Sequence, residues 1–271
     1  MLARGNDIIR DNLCAKFYLG RVMREICYKN NYLVEVVARL DFAKPIEALM
    51  EPVLPSDIHA EIKKHYSIYE PSKITRHDFK ITDESVMSEK EEMHQWVYHG
   101  EERDKSITIS AHAIVVTFKV YQDFICFKDS IISPIRKIIE LEKNIQIQRT
   151  GLRFVNIYKD LIKDFSDIKE YFPPMLSCSF ENLIDSKSCS RNFLISEYLY
   201  DEIKLRMQTG VYNPDYPAKI KKIDFIIDLD AFIDTPHVVN DVEVFFDEIH
   251  EKIQDKFESC ITQKMRDKLN D

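Results

Sequence analysis

Glycine is scarce in this chain, with five residues in 271. That scarcity nearly excludes the glycine-rich loops that cradle phosphates, and neither G-x-x-x-x-G-K-[ST] nor G-x-G-x-x-G occurs. G-x-S-x-G and H-E-x-x-H are missing too, so no nucleophile elbow or zinc-protease helix is signalled. The six cysteines, Cys14, Cys27, Cys126, Cys178, Cys189 and Cys260, form no C-x-x-C pair and read as free, mostly buried thiols. Long apolar runs are lacking, which excludes a membrane-spanning helix. The N-terminal stretch carries Arg4, Asp7, Arg10 and Asp11, which does not fit a signal peptide. These absences predict a cytoplasmic protein. Positive charge is short as well: 38 Lys and Arg against 46 Asp and Glu give a formal charge of −8. A general basic coat is therefore excluded, and a nucleic-acid partner, which is disfavoured, would need a local patch.

What is present is an ordinary globular mixture, 45% hydrophobic and 31% charged. Residues 6–22 have near-helical spacing of Ile8, Ile9, Leu13 and Phe17 behind Asn6, which predicts an N-terminal helical appendage over 1–22. Tyr32–Phe42 is dense in β-branched residues and reads as a strand. Residues 45–67 read as turn and helix, with Ile58, Ile62 and His65 near one face. Ser72–Val86, Glu92–His99, Ser106–Ser110 and His112–Val120 continue as an antiparallel meander. A helix follows over Gln122–Lys143, with Phe124, Phe127, Ile131, Ile135, Ile138 and Ile139 on one face; Pro134 either kinks it or starts a second segment behind Ser133. Gln146–Tyr158 is again a strand, and 161–188 an irregular connector containing Pro173-Pro174. Strands near 190–199, 201–212 and 221–232 precede one long helix, Asn240–Lys268, about 42 Å in length. Strands run in series before each helix, so the expected class is α+β: two similar halves, 23–160 and 189–271, each an antiparallel sheet covered by a long helix.

The most informative stretch is Gln146-Ile-Gln-Arg-Thr-Gly-Leu-Arg-Phe-Val-Asn-Ile-Tyr158. Period two puts Arg149, Gly151 and Arg153 on one face and Thr150, Leu152, Phe154 and Asn156 on the other. Polar groups on a buried strand require partners or a ligand. One reading is an anion site, with two guanidinium forks beside a glycine that admits a ligand to the backbone. The other is structural: the arginines pair with Glu35, Asp41 or the Asp224/Asp228/Asp230 row, and Gly151 makes room for a bulge or a large aromatic neighbour.

The chain resembles a sporadically distributed, uncharacterised family of prokaryotic proteins. The resemblance rests on Lys29-Asn-Asn-Tyr-Leu-Val-Glu-Val-Val37, on Tyr121 and Phe124 before the first long helix, on Arg149-Thr-Gly-Leu-Arg-Phe-Val-Asn156, and on Asp228-Leu-Asp230 before the last helix. It runs from Met23 to the C-terminus, and the R-x-G-L-R-[FY]-x-N strand is its specific part. The family's tryptophan after the tyrosine is missing here, which leaves Phe124 to do that packing. The resemblance implies the fold order and an association with mobile or defence genes; it brings no established activity.

Other constellations are weaker. Asp224, Asp228 and Asp230 share a strand face and are the weak candidates for a divalent cation, but such a row is more often solvated or paired with arginines. Glu91, Glu92, His94 and His99 around Trp96 do not converge as a zinc site must. Glu202-Ile-Lys204 matches half of a metal-dependent nuclease core, with Asp185 upstream as a partner. The E-x-E-x-K strand of triphosphate-tunnel enzymes is absent. No cofactor, catalytic residue or metal ligand is assigned. The leading expectation is a binding or interaction protein in which Arg149, Gly151, Arg153 and Asn156 contact an anionic ligand or protein partner, with the C-terminal helix stripe as a candidate homo-oligomer surface and no membrane contact. The alternative is a metal-dependent nuclease or phosphohydrolase.

Overall fold

Alternating β-branched and aromatic residues lay most of the chain down as strands. The computed structural model describes residues 13–18, 21–81, 86–142, 144–181, 183 and 185–271, without the side chains of 13–25, 74–92, 181 and 186. The strands are β1 (Leu13–Tyr18), β2 (Arg21–Ile26), β3 (Leu33–Phe42), β4 (Ile68–Ile81), β5 (Val86–His99), β6 (Lys105–Ser110), β7 (Ala113–Phe118), β8 (Gln146–Ile162), β9 (Asn192–Tyr200), β10 (Ile203–Tyr212), β11 (Ile223–Ile233) and β12 (His237–Val238). The helices are α1 (Ser56–Lys63), α2 (Phe124–Leu141), α3 (Ile168–Tyr171), α4 (Pro174–Glu181), α5 (Val242–Ser259) and α6 (Gln263–Asn270).

One large antiparallel sheet runs β4-β5-β6-β7-β3-β8-β11-β10-β9; β12 pairs with β8, and β1 with β2 form a separate hairpin. The fold is thus α+β, as the serial strands imply. Within the sheet β8 lies between β3 and β11, with Arg153 opposite Val37 on one side and Asp230 on the other.

The core lies on one face of the sheet. Ala38 and Leu40 of β3, Leu152 and Phe154 of β8, and Phe225, Ile227 and Leu229 of β11 point into it and are buried. α5 lies over β8, β11 and β10, and buries Val242, Phe246, Ile249 and Ile253. α2 packs on β7 through Phe127, whose ring meets Phe118 edge-on at 5.0 Å. α2 starts at Asp123, whose carboxylate accepts from the Cys126 N–H at 2.8 Å. It runs through Pro134, which packs into the core, and Ser133 caps no second segment: its hydroxyl donates to Glu61 at 2.5 Å. No described helix is long and apolar enough to cross a membrane.

Five expectations need correction. The helix over 6–22 is not formed at 13–18, which is a strand paired with Arg21–Ile26; the break placed at 22/23 falls inside β2, and residues 1–12 lie outside the described part. Phe17, Tyr18, Val22 and Ile26 favour a strand, and pairing outweighs a short, imperfect helical spacing. The final helix is two helices rather than one. It stops at Ser259, Cys260 and Ile261 turn inward and are buried, and the Thr262 hydroxyl caps α6 at the Met265 N–H while donating to the Glu170 carbonyl at 2.7 Å. The apolar stripe offered as an oligomer surface faces the sheet instead. The connector is not wholly irregular, since β8 extends to Ile162 and α3 and α4 follow; Phe172 stacks on Phe225 at 4.2 Å and Phe180 meets the same ring at 5.8 Å. Glu202 sits in the turn between β9 and β10, not on a strand, while Lys204 pairs with Asp234. Asp185, its proposed partner, accepts from the Ser188 N–H.

His250 of α5 lies against Phe124 of α2 in a parallel stack at 3.8 Å and is 8% exposed. Burial, with Lys128 nearby, pushes its imidazole down to about 3. The folded state therefore keeps this ring neutral, whereas the unfolded chain protonates it near the ordinary value of about 6.5. Stability tied to His250 is fully present above that value and is lost as pH falls, by about 1.4 kcal/mol per pH unit between roughly 6 and 4. Urea unfolding across that range is expected to show this slope in the native chain, and His250→Phe, which keeps the stack, is expected to flatten it.

Candidate functional site

The second face of the sheet carries the charge. Successive residues of a strand alternate sides, so β3 presents Glu35, Arg39 and Asp41 here, β8 Arg149, Gly151 and Arg153, β11 Asp224, Asp228 and Asp230, and β10 Lys204 and Arg206. Register brings them together: Arg39 lies opposite Gly151, Asp41 opposite Arg149, Arg153 opposite Asp230, and Asp230 opposite Arg206. Both predicted arginines of β8 and their glycine are on this face; the predicted Asn156 is on the other, facing the core.

Arg153 makes a fork to Asp228, Nε to Oδ1 at 2.8 Å and Nη2 to Oδ2 at 2.6 Å. The carboxylate raises the guanidinium's pKa further, while Arg153 keeps 44% of its side chain in solvent and Asp228 only 10%. Arg149 lies over the Phe232 ring, its Cζ 4.2 Å from the centroid, and reaches Asp230 at 3.6 Å. Its Nε is buried without a hydrogen-bond partner. Gly151 explains how that fits: a Cβ there would stand 3.1 Å from Phe232 Cβ and 3.7 Å from Arg149 Nε. The space beside the glycine is taken by the phenyl ring and the guanidinium. Gly210 plays the same part on β10, where Phe193 Cδ1 would lie 2.4 Å from an added Cβ. Asp230 is pushed above the usual carboxylate range, because burial and the Asp228 charge outweigh the pull of Arg149 and Arg153. Arg39 is half-exposed and pairs with Asp41 at 2.8 Å on its own strand.

The aspartate row is therefore committed largely to arginine. Asp228 gives both oxygens to Arg153, Asp230 faces two guanidinium groups, and Asp224 is buried with Oδ1 unpartnered. Among the described residues no three His, Cys, Asp or Glu side chains are placed to hold a metal ion. His94 stacks on Trp96 with 6.4 Å between ring centroids, and His99 faces Glu70 at 3.3 Å; the side chains of Glu91 and Glu92 lie outside the described part. Sequence reasoning missed Arg39 and Arg206 as members of the cluster. Each stands at an outward position of an alternating strand, but only the register shows that they flank β8. No protein-family model matches this chain, and no curated protein does either.

Removing Arg153 strands the buried Asp228 carboxylate, so Arg153→Ala is expected to cost about 1–3 kcal/mol in urea unfolding. The pair Arg153→Leu with Asp228→Leu is expected to recover most of that loss, because no charge is then left unpaired. A double variant as unstable as the single one would show that the pair contributes through packing instead.

Proposed function

We propose that this chain is a non-catalytic binding protein whose recognition surface is the uncovered face of the sheet, and that the surface takes an acidic partner. The observation that carries this reading is the state of its arginines. Arg39 and Arg153 keep about half of their side chains in solvent, at 51% and 44%. Arg206, opposite Asp230, forms no ion pair among the described residues. A guanidinium pre-positioned by a neighbouring carboxylate needs little reorganisation to accept a second anionic group. Arg149 serves in this reading as the inner support, since its fork is already spread over Phe232 and Asp230. Phosphate-ester chemistry has less support, because it would require Asp228 and Asp230 to leave their arginines for a metal.

We also read the chain as two related halves that meet between β3 and β8. In the first, β3 is innermost, the chain moves to the edge at β4, meanders back through β5 and β6 to pair β7 with β3, and ends in α2. In the second, β8 is innermost, the chain moves out to β9, returns through β10 to pair β11 with β8, and ends in α5. Helical turns fill the outward leg in both, 47–63 in one and 165–181 in the other. On this reading the arginine cluster straddles the line where the halves join.

A protein with a formal charge of −8 should be repelled by a sulfated polyanion matrix unless it carries a local cationic patch. The native chain is expected to be retained on such a matrix at low salt. Arg39→Glu with Arg206→Glu is expected to pass through it while unfolding at an unchanged urea midpoint. Equal retention of both proteins would remove the proposal.

A further inference from the structure

On the opposite side of the sheet, under α5, lies a cavity of about 120 Å³. Its walls are aromatic: Tyr32, Tyr121, Phe154 and Phe257 all face it, and its rim carries the exposed Asn30, Asn31 and Gln122. Its other polar side chains include Gln254, whose Oε1 accepts from the Ile26 N–H at 3.1 Å, and the pair Asn156 of β8 and His250 of α5. Asn156 and His250 are 5% and 8% exposed, and neither makes a side-chain hydrogen bond among the described residues. Other polar groups on this face differ in state: the Thr150 hydroxyl sits 2.9 Å from His237 Nε2, while the Tyr158 and Thr209 hydroxyls are buried without a hydrogen-bond partner and do not line the cavity. Asn156 and His250 differ from those two hydroxyls in lining a space that a ligand can enter.

We propose that this cavity is a binding site for a small, neutral, planar molecule with an amide-like edge that offers one donor and one acceptor. The edge would meet the Asn156 amide and a ring nitrogen of His250, and the ring would lie among Tyr32, Tyr121, Phe154 and Phe257. The volume approaches that of a cavity able to hold benzene, about 150 Å³, so an occupant of about six to nine non-hydrogen atoms fits. Neutrality follows from the charges at hand. The one carboxylate in the lining, Glu258, is already held by the Tyr28 hydroxyl at 2.7 Å and by Arg266 Nε at 2.9 Å. His250 stays uncharged in its stack. Ordered water is the competing occupant, since the lining includes tyrosines as well as Asn156 and His250, and a titration with a ligand of the stated chemistry decides between the two. The site lies on the opposite side of the sheet from the arginines, so it stands or falls independently of the acidic-partner reading.

Benzamide is the probe that matches this description, and benzoate is its charged counterpart of the same shape. Calorimetric or saturation-transfer titration of the full chain is expected to show benzamide binding with Kd of about 1 mM or tighter. Benzoate is expected to bind at least about tenfold more weakly, because its charge finds no partner. Asn156→Leu and His250→Phe keep the local volume and delete the hydrogen-bonding atoms, and each is expected to weaken benzamide about tenfold. Either variant decides the matter if the other fails to fold. Absence of benzamide binding, benzoate binding equally well, or a folded variant binding benzamide as the native chain does would each overturn the proposal.

Discussion

β8 is the strand on which the rest of the structure depends. It is seventeen residues long, hydrogen-bonded to β3 along one edge and to β11 along the other, and it has to keep two chemically opposite faces apart. A slip of one residue in its register would turn Arg149 and Arg153 into the core beneath α5 and expose Phe154 and Tyr158 to water. Burying a guanidinium without its carboxylate costs several kcal/mol, and exposing two large aromatics forfeits about 2–3 kcal/mol each, so alternative registers lie far above the native one. That gap lets a sheet of ten strands stay one-sided, with the described helices on the apolar face. It also keeps the charges of three neighbouring strands in mutual register across the open face.

The open face combines two kinds of ion pair, and their magnitudes separate their roles. Arg39 and Asp41 are two residues apart on one strand, with Arg39 half-exposed and Asp41 partly so, and a pair near the surface is worth at most about 1 kcal/mol. Arg153 and Asp228 are joined by two short bonds with the carboxylate nearly buried, so loss of the arginine is the costly event. Asp230 lies between these limits. Its pKa is raised despite two nearby guanidinium groups, which means that desolvation there is not fully offset. The cluster therefore has a rigid centre at Arg153–Asp228 and a looser surround of Arg39, Arg206 and Asp230. The proposed binding of a charged partner would use that division, with a fixed part that sets geometry and a periphery able to exchange its contacts.

Much of the architecture was legible because burial imposes a period on the sequence. The alternation of Arg149, Gly151 and Arg153 against Leu152 and Phe154 gave the two faces of β8 directly, and Asp228 and Asp230 were recognisable as partners for those arginines. Gly151 next to a large aromatic was one of two readings open at that stage, and the ring turned out to be Phe232, two strands' worth of sequence away. Register between distant segments has no local signature, so Arg39 and Arg206 could not be placed beside β8. The same limit hid the cavity, whose walls come from residues near 28–32, 121, 154–156 and 250–257. The N-terminal and C-terminal helices failed for a different reason. Helical spacing in 6–22 is weak and competes with good strand residues, and the Asn240–Lys268 stripe continues in phase across a turn that only the Thr262 cap reveals.

Polar residues on the core face fall into two groups once their partners are known. Thr150 is answered by His237, and Lys128, only 4% exposed, is answered by Asp247 at 2.6 Å. These are the polar groups that a folded core tolerates, since each bond offsets most of the desolvation of its members. Asn156 and His250 are not answered, and neither are the Tyr158 and Thr209 hydroxyls, but only the first two line the cavity. Hydrophobic residues of the same shape would pack there with no unpaired atom, so stability alone does not account for either side chain. Asn156 is thus better explained by the space it faces than by Arg153, three positions away on its own strand, because a shared strand does not imply a shared face.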